Sequence, residues 1–289
     1  MTARVGELWS AVVRWCIDSE QSTRSAGILR ILLVILVWAR WAKDMRYFQD
    51  ITPFGFAFMT AFYTATCLML VGLFTRLSSA AVGILCMTIV YYLGFAVGHE
   101  PWTHHHTRLL AHAAMLAAFM PCGKSYSLDR WLEVRRAERA GRSPSPERGN
   151  IWALRLVALQ LSVMYVFAVI DKLGEGFMSG ARMQHYLLHY YTGSDMPDSA
   201  WLEPACLAFA WTTIVLEAAL AIGMLSSRGR RWLLLPGLFL HGAFYVLLSV
   251  STFSMTVWAL YVAYFEPDEV HDAIDRLHGQ GGPAINRSA

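Results

Sequence analysis

The stretch IWALRLVALQLSVMYVFAVIDK, residues 151–172, decides the fold class. It carries one charge, Arg155, before its closing Asp171–Lys172 pair. At 1.5 Å per residue it reaches ~33 Å, enough to cross the ~30 Å hydrocarbon core of a bilayer as a helix. Seven comparable runs lie around it, at 25–43, 54–74, 78–97, 104–123, 201–225, 232–249 and 251–265. The last is short, follows directly on the seventh, and reads as a full or a half-span.

Composition agrees. Of 289 residues, 56% are hydrophobic and 16% charged, where a soluble domain averages ~25% charged. We expect an all-α, polytopic transmembrane helical bundle of about eight spans, with the lipid bilayer as its partner and a multi-pass place in the cell membrane. Disorder is excluded by the wealth of apolar residues. Nucleic-acid binding has no basic aromatic surface to support it, at a net charge of only +3. The cysteines, 16, 67, 86, 122 and 206, are odd in number and lack CxxC spacing, unlike a disulfide scaffold.

The chain divides into an amphipathic interfacial segment at 1–24, a transmembrane domain at 25–265 with a loop at 124–150, and a polar C-terminal tail at 266–289. Residues 5–17 are interrupted by Glu7 and Arg14, so they read as a helix lying on the membrane rather than as a cleavable leader. With the N-terminus cytoplasmic, the inner segments carry fourteen Lys and Arg and the outer connections five, a positive-inside bias. The loop at 124–150 includes SLDRWLEVRRAERAGR, an amphipathic helix opening at Ser127 with Leu128, Trp131 and Leu132 able to touch lipid. The His-rich turn at 99–108 and the segment after Lys172 both fall outside under this topology, which sets His106 and Lys172 at similar depth.

Ionisable groups within the spans are expensive, ~2.5–3.5 kcal/mol each at mid-bilayer on insertion scales, and mark functional candidates. Arg30, His112, Lys172, Glu217 and His241 qualify. Arg30 lies near a span end and could snorkel to headgroups. Glu217, deep in WTTIVLEAALAIG, must be protonated, paired or facing water; Arg30 and His241 are its candidate partners. His241 reads either as a satisfied core histidine or as a ligand. Three histidines, His106, His185 and His189, could converge on a metal, since imidazole suits Zn, Cu or Fe, yet no metal signature accompanies them. Lys172 closes a strongly apolar run, where desolvation disfavours its charged form and makes the amine a candidate base. A lysine anchoring a helix end is the plainer reading.

Two stretches together resemble the horizontally transferred transmembrane (HTTM) domain, shared with vitamin K-dependent gamma-carboxylase. YVFAVIDKLGEGFMSG, residues 165–180, supplies Tyr165, Ala168, Lys172, Leu173 and Gly180 of the family pattern, with Val169 in place of Gly and Phe177 in place of Trp. HHHTRLLAHAAMLAAFMPCGKSYSLDRW, residues 104–131, is similar to an Asn-His-x-Tyr run whose helix ends in a Ser-x-Asp turn. His106, Ser127 and Asp129 match in spacing, while His105 stands for the Asn. Weaker similarity covers Arg30, Glu217, His241 and FSMTVWALYVAYFEP at 253–267.

The resemblance implies Lys172 as the catalytic base and His106 as its catalytic partner. Tyr165, Glu217, His241, Arg30, His105 and His189 become supporting or substrate-binding candidates, and no residue is assigned to a metal. It also implies a quinol cofactor, such as vitamin K hydroquinone, and a secreted peptide or small substrate met at the external face. The carboxylase carries a large lumenal portion that these 289 residues lack, so carboxylation of peptide glutamate does not follow. Two other readings stand beside this one: a non-catalytic membrane component for maturation, export or immunity of a secreted peptide, and a His-liganded metal or haem protein.

Overall fold

The computed structural model describes residues 6, 9, 10, 13, 19–47, 52–191, 200–248 and 250–278, without the side chains of 47 and 189–191. The amphipathic segment expected at 1–24 therefore lies mostly outside the described residues. The chain forms two compact units, residues 1–157 with 265–289, and residues 158–264.

The first unit opens on β1 (Glu20–Ser22) and α1 (Arg24–Tyr47). Next come α2 (Pro53–Val71) and α3 (Thr75–Met87), which continues as a π-helical stretch, Thr88–Ala96. A 3-10 turn at Glu100–Trp102 leads into α4 (His105–Ala117), then α5 (Leu128–Arg139), β2 (Arg148–Asn150) and the first turns of α6 (Trp152–Lys172). Helix α12 (Pro267–Leu277) returns to this unit. Five described helices are long and apolar enough to cross a membrane: α1, α2, α3 with its π extension, α6 and α9 (Leu202–Gly223).

Lipid-facing and buried sides separate as a membrane protein requires. Helices α2 and α3 present Phe54, Phe56, Leu77 and Ile84 outward and bury Phe62, Met69, Val82 and Cys86. Helix α4 has only 13 residues. Its Met115 backbone runs so close to α3 that a Cβ on Gly83 would sit 2.7 Å from the Met115 Cα.

Arg30 does not snorkel. It is fully buried, and its guanidinium donates to the carbonyl oxygens of Cys122 (2.8 Å) and Tyr126 (2.6 Å). The acceptors are backbone oxygens left without helix partners in the turn after α4, so the cation caps the turn. Gly72 faces this point at φ 71, where a Cβ would stand 2.5 Å from both Arg30 Nη1 and Ser127 Cβ. The Ser-x-Asp turn completes the joint. Ser127 Oγ accepts from Arg130 N at 2.9 Å as the N-cap of α5. Asp129 accepts from Phe74 N, Thr75 N and Thr75 Oγ1 at 2.7–3.0 Å, satisfying orphan donors at the start of α3.

The end of the unit that carries β1 is tied by long-range polar contacts. β1 and β2 pair antiparallel, Glu20 opposite Asn150. Ser22 N donates to Asp268 at 2.9 Å, Arg24 bridges Glu147 and Asp275, and Arg155 pairs with Glu266 at 3.4 Å. The polar tail thus begins as an ordered helix docked on the N-terminal strand. Within the loop, Ser145 and Arg130 hold the Glu133 carboxyl below its ordinary range by hydrogen bonding to its charged form. Arg24 does the same for Asp275.

The second unit contains the rest of α6, a short turn of helix α7 (Glu175–Met178), α8 (Ala181–Tyr191), α9, α10 (Ser227–Leu247) and α11 (Ser251–Leu260) with a 3-10 turn at Tyr261–Tyr264. Pro236 lies inside α10, where its ring removes one backbone hydrogen bond. Phe177, Met183, Leu188, Leu202, Cys206, Ala210 and Ile214 form an apolar core, with Val169 packed against it.

Candidate functional site

Helix α6 sorts its residues by face. Ser162, Tyr165, Val169 and Lys172 recur three, four and three residues apart, so they share one side. Val163, Val166, Phe167 and Ile170 are exposed on the other sides, as lipid contact demands. Helix α9 brings Glu217 inward beside Thr213 and Leu220, and α10 brings His241 beside Leu240 and Phe244.

These faces build a polar cluster inside the second unit. Lys172 Nζ stands 2.8 Å from Glu217 Oε2 and 3.1 Å from Oε1, and it donates to the Ala168 carbonyl at 3.2 Å. The lysine side chain is 18% exposed and the glutamate 1%. The Phe177 ring lies 5.7 Å from the same ammonium, a cation–π distance. Next to this pair, Tyr165 Oη meets His241 Nε2 at 2.7 Å and Tyr261 Oη at 2.8 Å. Ser162 Oγ and Tyr264 Oη share a hydrogen bond at 2.9 Å. Gly237 lets the Tyr261 hydroxyl in, since a Cβ there would stand 2.5 Å from it.

The two halves of the cluster feel one another: His241 lies within electrostatic reach of Lys172, and Tyr165 and Tyr261 within reach of Glu217. His241 is wholly buried and hydrogen-bonded through Nε2 only; its Nδ1 has no partner among the described residues. That is an unusual cost for a buried polar atom.

The sequence-derived candidates sort as follows. Lys172, Tyr165, Glu217 and His241 come together in the second unit. The expected partners of Glu217, Arg30 or His241, are replaced by Lys172, and Arg30 serves the turn after α4. Lys172 is not a lone amine among apolar groups; the buried Glu217 carboxyl stands 2.8 Å from it. His106 opens α4 in the first unit, with the His104 ring stacked 5.6 Å away. His105 contacts Arg108 at 2.5 Å. Asp44 organises that neighbourhood, accepting from Trp102 Nε1 at 3.0 Å and pairing with Arg40 at 3.4 Å. The side chain of His189 lies outside the described residues, and His185 contacts Tyr186. Among the described residues, no three His, Cys, Asp or Glu side chains converge as metal ligands. Tyr261 and Phe177 join the site although neither is among the candidate site residues read from the sequence; Phe177 is marked there only as standing at the motif's Trp position. The only trace of Tyr261 was its place in the 253–267 stretch.

Apolar outer faces, a buried ion pair and polar side chains turned inward define a helical membrane protein with an internal polar site. The HTTM domain family model matches residues 35–268, and the chain belongs to that family. No curated protein and no solved structure matches it.

Proposed function

We propose that the chain is a cell-membrane enzyme in which Lys172 removes a proton from a lipid-soluble quinol or related hydroxyl compound, in order to modify a peptide or small substrate at the external face. One observation carries the reading. The lysine of the Tyr165–Ala168–Lys172–Leu173 pattern is held at a helix end, largely out of water, with one N–H direction left over once Ala168 and Glu217 are served. The residues fit a hydroxylated ring. Nζ would meet its hydroxyl oxygen, and the orphaned His241 Nδ1 is a second polar group to offer. A quinol, when bound, supplies an acidic hydroxyl and a pair of electrons. Lys172 holds the proton at Nζ, Glu217 compensates its charge, and the apolar wall of Phe177 and Val169 excludes water. The part of His106 rests on the family resemblance.

Eight crossings with a cytoplasmic N-terminus complete the proposal. Polar residues in direct contact share one side of a membrane, so an even number of crossings separates them. The β1–β2 pairing supports reading α4 as a fourth crossing after α1, α2 and α3. The Arg155–Glu266 pair is in keeping with α10 and α11 crossing as a pair beside α6 and α9. The end so tied together is the one that gathers most of the Lys and Arg, in keeping with the positive-inside bias.

The test is Lys172→Ala, with mass spectrometry of co-expressed candidate peptides. Loss of the product with normal membrane insertion supports the reading, and unchanged product refutes it. A buried ion pair also suits a purely structural clamp in a non-catalytic component; partner capture surviving Lys172→Ala would favour that.

A further inference from the structure

Among the described residues, Glu217 is the only Asp or Glu in the buried set, and it sits against the one lysine offered as a base. The pairing poses a chemical problem. A base needs a lone pair on Nζ, and the carboxylate oxygen 2.8 Å away can only accept, so it has use for an N–H and none for a lone pair. Removing the carboxylate's charge would release the amine. Burying an ion pair costs both partners their hydration, a penalty that a neutral pair does not meet.

We propose that Glu217 is the proton store of Lys172, a positioning residue that decides when the amine is able to act. This rests on reading Lys172 as a base. At rest the proton stays on Nζ. When a substrate hydroxyl displaces the remaining water, one N–H bond of Lys172 breaks and an O–H bond forms on Glu217. The Nζ lone pair then takes the proton of the substrate hydroxyl, breaking that O–H bond and forming a new N–H bond. The substrate is left with one negative charge, Lys172 with one positive charge and Glu217 with none, so the site stays neutral throughout and no oxidant enters the step. His241 beside Lys172, and Tyr165 and Tyr261 beside Glu217, are the other titratable groups facing the pair. Their mutual hydrogen bonds leave the carboxylate to the lysine.

The sequence makes this measurable, because the chain has three lysines, 43, 124 and 172. Purified full-length protein in micelles is treated briefly with acetic anhydride near neutral pH. Acetylation of Lys172 is read by peptide mass spectrometry against exposed Lys43. In the wild type Lys172 reacts far more slowly than Lys43 and catches up as the pH is raised. In Glu217→Gln the ratio near neutral pH rises about tenfold or more, the equivalent of one pKa unit, and Glu217→Asp brings it back toward the wild-type value. An unchanged ratio in Glu217→Gln overturns the proposal. So does a wild-type Lys172 that reacts as fast as Lys43, a measurement that stands even if the Gln variant fails to fold. Product formation is scored separately in Lys172→Ala. Product lost there with an unmoved acetylation ratio sinks the proton store alone, and product retained sinks the base and the store together.

Discussion

The hydroxyl of Tyr165 and the imidazole of His241 share a hydrogen bond of 2.7 Å between two helices whose residues lie 76 positions apart. The same hydroxyl reaches Tyr261, so one oxygen joins α6, α10 and the turn after α11. Removing it leaves two buried polar groups short of a partner. Tyr165→Phe should therefore cost ~1–3 kcal/mol, read as a lower thermal unfolding midpoint in detergent. Tyr261→Phe should cost less, because His241 keeps its bond. Equal stability of Tyr165→Phe and wild type would deny the hub.

Arg30 bonds to two carbonyl oxygens from full burial. Arg30→Met keeps much of the volume and loses both charge-assisted bonds, at ~1.5–3 kcal/mol for each. Protein yield and unfolding midpoint should fall together. Arg30→Lys should recover only part of the loss, since an ammonium lacks the fork that serves two acceptors at once.

Gly72 touches the same joint from the other side. Gly72→Ala adds a Cβ where φ is 71 and where Arg30 and Ser127 stand 2.5 Å away. The backbone strain alone is worth ~1–3 kcal/mol. The unfolding midpoint should drop, and proteolysis near residues 124–127 should accelerate. A neutral result would show that the turn relaxes around the added methyl.

The loop at 124–150 carries a pH signature. Glu133 accepts from Ser145 N at 3.0 Å and from Arg130 at 2.8 Å, and its folded-state value is depressed from the ordinary 4.5. A depressed carboxylate contributes stability above its unfolded value and loses it as the pH falls through the folded one. Exchange protection of the Ser145 amide should accordingly weaken below pH 4.5 and hold above it. Glu133→Gln should remove the pH dependence with little effect on global stability, as the Glu133 side chain is 39% exposed.

Crossing parity gives a labelling test. Cysteines introduced by Ser145→Cys and Asp272→Cys in a cysteine-free background should be shielded from a membrane-impermeant maleimide in intact cells. One introduced by Glu100→Cys should react. Matching reactivity at residues 100 and 272 would break the eight-crossing count.

Much of this architecture is legible in the chain. Apolar length alone marks α1, α2, α3, α6 and α9. Helix α4 is harder: its 13 helical residues are flanked by turns, and the β1–β2 pairing on which its proposed crossing leans is announced by no local pattern. At the site, the expense of burying Lys172 and Glu217 flagged both residues. Their pairing was not legible, because hydropathy records depth along a helix and says nothing of which faces meet. The partners of Arg30 are illegible for the same reason, as its acceptors are backbone oxygens and backbone atoms leave no mark in a sequence. Tyr261 looked like one aromatic residue among many until its hydroxyl was seen against Tyr165.

Arg24 waits 251 positions for Asp275, as Ser22 waits 246 for Asp268. On the ribosome, the earliest helix enters the lipid long before the residues that will fasten its mouth have been made. The nascent chain must therefore tolerate an unsealed doorway through nearly all of its synthesis, and a stop codon ahead of Asp268 would strand a nearly complete set of helices with its clasp undone.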